Sequence, residues 1–222
     1  KIEKFVKTQE EVVLDTSTAE EFKEFLLELE EEFGFKLKDH QLDAALRVLG
    51  RMEGRALLAM EMGCGKTLTA ILIALYIYMK TGIPILISCP SWLRLHWKGE
   101  FKKYTGLEAV VIDKKNRDMK ELLKKHRWNP FFIVSHDIFQ KVTGLTGRDE
   151  FTLIVDEAHV LKNDGKKSKA AQEIFDRIAE NILLLTATPL VNRGSEAFNY
   201  LRVLHPNVFT KRAEFQKFFC EG

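Results

Sequence analysis

The sequence predicts an α/β fold in which a mostly parallel sheet is covered by helices on both faces, and three observations lead to it. Six short runs are almost continuously apolar and alternate with helical stretches: Ala56 to Met60, Ile85 to Ser88, Ala109 to Ile112, Phe131 to Val134, Phe151 to Val155 and Ile182 to Leu185. Strands without polar alternation are buried on both faces, as in parallel sheets flanked by helices. Several runs end in polar or small residues: Glu61, Ser88-Cys89-Pro90, Ser135-His136-Asp137, Asp156-Glu157 and Thr186-Ala187-Thr188. The carboxyl ends of parallel strands form the binding crevice of such sheets, so these tips should line one site. Finally, Met62-Gly63-Cys64-Gly65-Lys66-Thr67-Leu68 joins the first run to an apolar helix, the arrangement of a phosphate-binding loop.

Two helices precede the sheet. Over residues 16–33, Phe22, Phe25, Leu26, Leu29 and Phe33 recur at helical spacing, with Thr18 and Glu21 placed as a capping box and Gly34 as the stop. A second amphipathic helix is predicted from Asp39 to Arg51, with Leu42, Ala45, Leu46 and Leu49 on one side. Residues 1–34 thus read as an acidic helical leader, or the end of a preceding domain, and 35–222 as one α/β lobe. The simplest role for the leader is a brace packed on that lobe; autoinhibition by charge mimicry is the alternative.

With 222 residues and 45% apolar content the chain can bury a sizeable core. Its longest apolar stretch, Leu68 to Met79, is shorter than the roughly 20 residues that span a bilayer, so a buried helix is expected and no membrane segment. The chain opens on Lys1 and shows no signal peptide, which reads as a fragment of a longer intracellular protein. Cys64, Cys89 and Cys220 have neither disulfide nor zinc spacing. The net charge of +2 conceals an asymmetry, because residues 1–33 hold four Lys and eleven acidic residues, which leaves the remainder near +9. That sign suits a polyanionic partner as well as a plain solvated surface.

The chemistry follows from the tips. Gly63 and Gly65 let backbone N–H groups approach phosphate oxygens at a helix N-terminus, Lys66 can reach the β- and γ-phosphates, and the Thr67 hydroxyl can ligate Mg²⁺. Met60 stands where the general motif has a first Gly. Asp156 is placed to hold Mg²⁺ and Glu157 to orient and deprotonate an attacking water. A nucleoside triphosphate and Mg²⁺ are the expected ligands, with Lys66, Asp156 and Glu157 as the catalytic residues.

Four segments in order resemble motifs I, Ia, II and III of the Swi/Snf-type ATPases, double-stranded-DNA translocases of helicase superfamily two. They are Met62 to Leu68; Ile85 to Leu93 with Trp97 and Phe101; Asp156-Glu157-Ala158-His159 through Asn163, which spells a DEAH box; and Leu185 to Asn192. The resemblance covers residues 35–219 and implies a RecA-like lobe. It implies that Gln41 reads adenine beside the loop residues Met62 to Leu68, and that His159, Thr186 and Thr188 couple nucleotide state to DNA grip. It places Pro90, Ser91, Trp92, Ser135 and His136 against one strand's phosphates, with Lys98, Lys102, Lys103 and the Lys166-Lys167-Ser168-Lys169 cluster as candidate added charge. Trp92, Trp97 and Phe101 also have helical spacing suited to core packing.

Two departures stand out: Cys64 replaces the family's usual Leu, and Ala187 stands where many relatives carry Gly. The short interval from Ser135 to Asp156 and the tail Phe215 to Cys220 resemble the compact annealing-helicase branch. The family places ATP between two RecA-like lobes with arginine fingers on the second, and nothing after Val191 resembles that lobe. Weak ATP binding, poor hydrolysis and no translocation are therefore expected of this chain alone. Alternative readings are a lobe of an RNA helicase or restriction-type translocase, and a nucleotide-gated binding module without net motion.

Overall fold

The structure is a computed structural model that describes residues 16–51, 54–127, 129–139, 141–142, 150–162, 179–189 and 194–220. The lysine cluster at 166–169 and the motif III residues 190–192 lie outside them. All six predicted runs are strands: β1 Arg55–Ala59, β2 Ile85–Cys89, β3 Val110–Val111, β4 Phe131–Ser135, β5 Phe151–Val155 and β6 Ala179–Thr186. They form one sheet in the order β1-β6-β5-β2-β4-β3, and every pairing is parallel.

Alternate residues of each strand feed two separate cores. Ile85, Ile87, Phe131, Ile133, Ile154, Leu183 and Leu185 face one, whereas Leu86, Phe132, Val134, Leu153, Val155, Ile182 and Leu184 face the other. The period of two sends side chains to opposite faces, and both faces are covered, which is why the runs carry no polar alternation.

The first core is roofed by α1 (Thr16–Phe33), α2 (Asp39–Arg51), α3 (Lys66–Thr81) and α4 (Arg94–Thr105). The second is covered by α5 (Met119–Lys125), the short α6 (His136–Phe139) and α7 (Ala197–Leu204). A final helix, α8 (Arg212–Phe219), packs Phe215 on Phe198 and Phe209 in a small cluster of its own. Helix α3 is apolar nearly all round, with Ala70 to Ile77 buried, as a helix must be when it lies between the sheet and an outer helical layer.

The acidic leader helix belongs to this outer layer. Phe22 is fully buried, and its ring meets Tyr76 of α3 edge-on at 5.2 Å. Thr18 lies inside the helix, which is described from Thr16, rather than at its cap. Glu21 reaches across to Lys80 and to the Tyr76 hydroxyl. Arg55 donates to the carbonyls of Ala179, Glu180, Val203 and Leu204, tying the first residue of β1 to β6 and to the C-terminus of α7. No helix among the described residues is long and apolar enough to cross a membrane.

Candidate active site

The parallel register sets the strand tips in one row. Ala59 lies level with Thr186, Val155 with Leu184 and with Ser88, and Cys89 with Ser135. Because β1, β6, β5, β2 and β4 are successive neighbours, the residues that follow them share a single edge. The phosphate loop, Thr186, Asp156, Ser88 and His136, far apart in sequence, therefore meet there.

The loop turns through Gly63 and Gly65, each at φ +80°, a region that L side chains enter at a cost of roughly 1–2 kcal/mol. The turn ends at the N-terminus of α3, whose first peptide groups have no intrahelical acceptor and carry the positive end of the helix dipole. Lys66 bends back over the loop and donates to the carbonyls of Met60 (2.7 Å) and Glu61 (3.0 Å). Cys64 and Thr67 are half-buried, and Met62 is 84% exposed at the crest.

Gln41 is buried beside the loop. Its Oε1 accepts from the Lys38 backbone N–H at 2.8 Å, and its Nε2 donates to the Cys64 carbonyl at 3.1 Å, a carbonyl that His40 Nε2 also meets at 3.2 Å. The Gln41 amide carries a second N–H and a second lone pair beyond these two bonds. A cavity of about 390 Å³ opens here between Gln41, Lys66, Thr67, Phe35, Glu100 and Tyr104. That volume falls within the range of small-molecule sites. Phe35, Glu100 and Tyr104 carried no sequence signal, because only the packing of α4 against the segment between α1 and α2 brings them to the loop.

Asp156 is 9% exposed. Its Oδ2 accepts from the Trp97 indole N–H at 2.8 Å, its Oδ1 accepts from the Glu157 backbone N–H at 2.9 Å, and its own N–H is held by the Ser88 carbonyl. Glu157 sits at φ +50°, the one described non-glycine residue with positive φ, and its Oε2 lies 3.0 Å from His159 Nδ1. Backbone strain of this kind concentrates at functional sites. The predicted coupling residues fall into two groups. His159 is joined to Glu157, whereas the buried Thr186 hydroxyl accepts from the Thr188 N–H at 3.1 Å.

The residues assigned to nucleic acid occupy the neighbouring tips with unequal exposure. Pro90 precedes the 3-10 turn Ser91–Leu93, and Trp92 in that turn is 78% exposed. This corrects the core-packing expectation for Trp92. Trp97 and Phe101 are fully buried, but Trp92 lies one turn earlier, before α4 begins, and points away from that face. Ser135 is buried, and His136 Nδ1 shares a 2.8 Å hydrogen bond with the Ser88 hydroxyl. Burial holds the His136 imidazole below its ordinary pKa, against the pull of Asp156, so near pH 7 it is a neutral polar group rather than a cation. Of the three helix lysines, Lys98 and Lys102 are paired with Glu108, whose carboxyl is lowered chiefly by the Lys102 contact, and Lys103 lies against Tyr104.

The residues fit ATP and Mg²⁺. Glycine turns, a helix N-terminus and Lys66 suit a polyphosphate. The Thr67 hydroxyl and the Asp156 carboxylate offer the one or two oxygen side chains through which protein sites hold Mg²⁺ beside substrate phosphates.

A parallel sheet with a phosphate loop after its first strand and paired carboxylates after its fifth defines a RecA-like nucleotide-binding lobe. Residues 24–221 match the SNF2-related domain, and the chain belongs to that family. It is 31% identical to the SWI/SNF-related matrix-associated actin-dependent regulator of chromatin subfamily A-like protein 1 homolog of Caenorhabditis elegans, over 84% of this chain and 27% of that protein. It is 35% identical to an ATP-dependent helicase, YqhH, of Bacillus subtilis, over 82% of this chain and 32% of that protein. Identity to the human DNA annealing helicase and endonuclease ZRANB3 is 31%, over 84% of this chain and 17% of that protein. The fold matches the SWI2/SNF2 ATPase core of Sulfolobus solfataricus, solved in complex with double-stranded DNA, at a TM-score of 0.69 and 22% identity, over 84% of this chain and 39% of that one. The chain thus spans a third or less of these sequence relatives.

Proposed function

We propose that this chain is the first RecA-like lobe of a DNA-dependent ATPase that translocates along double-stranded DNA to remodel DNA or protein–DNA complexes. The observation that carries the reading is the shared edge on which the phosphate loop, the Asp156-Glu157 pair and the exposed turn Ser91–Leu93 all lie. Relatives named as annealing helicases and SWI/SNF-related regulators support it.

In this reading the loop N–H groups and Lys66 bind the β- and γ-phosphates, and Gln41 faces the adenine. Thr67 and Asp156 would hold Mg²⁺, which when bound neutralises charge developing on the phosphates. Glu157 orients a water and takes its proton as the water oxygen bonds to the γ-phosphorus and the bond to the β-phosphate oxygen breaks. His159, released from Glu157 as that carboxylate turns to water, passes the change to motif III, where Thr186 and Thr188 lie.

Pro90, Ser91 and Trp92 line the edge offered to one DNA strand, with the partly buried His136 and the buried Ser135 behind them at the neighbouring tip. Backbone N–H groups and short hydroxyls there would position phosphates without reading sequence. A second RecA-like lobe of the same protein would close on the loop and supply arginine fingers, whose loss costs about 10³- to 10⁵-fold in rate. The leader helix acts as a brace. The work is assigned to the inside of the cell, where ATP and DNA are available.

The test is ATP turnover by the complete protein with duplex DNA, single-stranded DNA or RNA as stimulant, together with displacement of a third strand from a triplex. Duplex-specific stimulation with triplex displacement is expected, and Glu157→Gln should retain ATP binding while lowering turnover about 10²- to 10⁴-fold. Preferential stimulation by RNA would replace this reading with the RNA-helicase one, and ATP-gated DNA binding without displacement would make the protein a static module.

A further inference from the structure

Trp97 is a buried aromatic side chain whose polar atom reaches the edge where Asp156 lies. It lies on α4, is fully buried, and directs its indole N–H at Asp156 Oδ2 over 2.8 Å. An indole nitrogen is a donor only, so it can hold an acceptor but cannot take a proton or bind a metal. Packing alone would be served as well by a phenyl ring, as Phe101 on the same face of α4 shows. The indole adds a fixed donor whose own position is closed to solvent.

The bond completes a constraint on the carboxylate. Oδ1 is held by the Glu157 N–H and Oδ2 by Trp97, one donor on each oxygen. The Asp156 backbone is itself anchored by its N–H on the Ser88 carbonyl. With both oxygens engaged, the plane of the carboxylate is set, and the lone pairs left over point in fixed directions. Hydrogen bonds to an ionised acceptor are shorter and stronger than neutral ones, and those from outside the coordination sphere of a metal ligand orient it.

We propose that Trp97 is a positioning residue: its indole N–H orients the Asp156 carboxylate for Mg²⁺ at the nucleotide phosphates. The inference rests on the reading of Asp156 as the Mg²⁺-holding residue. Loss of such an orienting partner costs about 10- to 100-fold in metal affinity or activity.

Trp97→Phe keeps an aromatic ring and removes the N–H. Fluorescent ADP binding to the 222-residue chain is titrated with Mg²⁺, beside Asp156→Asn. The expected result for Trp97→Phe is a 10- to 100-fold rise in the Mg²⁺ concentration at half-saturation, with Mg²⁺-free ADP affinity unchanged. Equal weakening with and without Mg²⁺ would make Trp97 a packing residue and overturn the proposal, as would wild-type Mg²⁺ dependence. If Asp156→Asn also left the Mg²⁺ dependence unaltered, the metal-site reading itself would fall.

A second readout needs no change at position 97. In the ¹⁵N-labelled chain the indole signals of Trp92 and Trp128 are assigned by Phe replacement, which leaves that of Trp97. This signal should shift when Mg²⁺ and ADP are added together and not with ADP alone. A signal indifferent to Mg²⁺ would overturn the proposal even if Trp97→Phe failed to fold.

Discussion

Gln41 and Gly65 occupy adjoining space so closely that a Cβ on Gly65 would lie 1.8 Å from Gln41 Nε2. The phosphate loop is therefore shaped by α2 as well as by its own glycines. Gly65→Ala must displace the amide from the Cys64 carbonyl and also hold Ala at φ +80°. A strain of about 1–2 kcal/mol lowers Tm by about 2–8 °C in a domain of this size. Nucleotide affinity should fall further than stability, which paired thermal melts and fluorescent-nucleotide titrations would show; Gly63→Ala, with nothing within 4 Å of its Cβ, should perturb Gln41 less.

The three thiols should differ in reactivity. Cys64 is half-buried at the loop, Cys220 is exposed, and Cys89 is buried. Burial first, and then the Asp156 carboxylate, push the Cys89 thiol up to about 12. At pH 7.5 iodoacetamide followed by peptide mapping should modify Cys64 and Cys220 and spare Cys89, with Mg-ATP protecting Cys64 alone. Modification of Cys64 that ignored Mg-ATP would separate it from the phosphate site.

Alkaline stability follows from the same burial. Tyr200 is pushed up to about 12, by burial and then by Glu196, and Cys89 likewise, from ordinary values of 10.0 and 9.0. Both stay protonated in the folded chain while the unfolded chain ionises, so stability is full below pH 9 and falls as pH rises toward 12. Urea midpoints at pH 8, 10 and 11 should decline, and Cys89→Ala with Tyr200→Phe should flatten that slope. On the acid side His136 acts with the opposite sign: its lowered pKa gives stability that is present above pH 6.5 and lost as pH falls through the folded value.

Glu157 holds a left-handed backbone for a side chain that stability alone does not require. Glu157→Gly should remove about 1–2 kcal/mol of strain, offset in part by the greater flexibility of glycine when unfolded and by the lost His159 contact. Chemical denaturation should show equal or slightly greater stability, while ATP turnover in the complete protein should be abolished. A large loss of stability would mean that the acidic side chain has a structural role.

Phe22 tests the brace. Because it is fully buried against Tyr76, Phe22→Ala should cost about 3–5 kcal/mol, whereas Leu27→Ala, at 59% exposure on the same helix, should change stability by less than about 0.5 kcal/mol. Denaturant midpoints measured side by side would check both values. Near-equal effects would mean that the helix packs only loosely on the lobe.

The sequence by itself determined the strands, the phosphate loop and the acidic pair. Continuous apolar runs are the direct imprint of burial on both faces, and glycines at a strand-to-helix turn are the imprint of backbone geometry; both are local. It misplaced Trp92, since helical spacing does not mark where a 3-10 turn ends and α4 begins. Only the tertiary structure decided that Trp97 donates to Asp156, 59 residues away, that Gln41 is wedged against Gly65, and that Phe35 and Tyr104 wall the cavity. These depend on strand order and on the angle at which each helix crosses the sheet. Many packed side chains set such quantities together, and no local pattern records them.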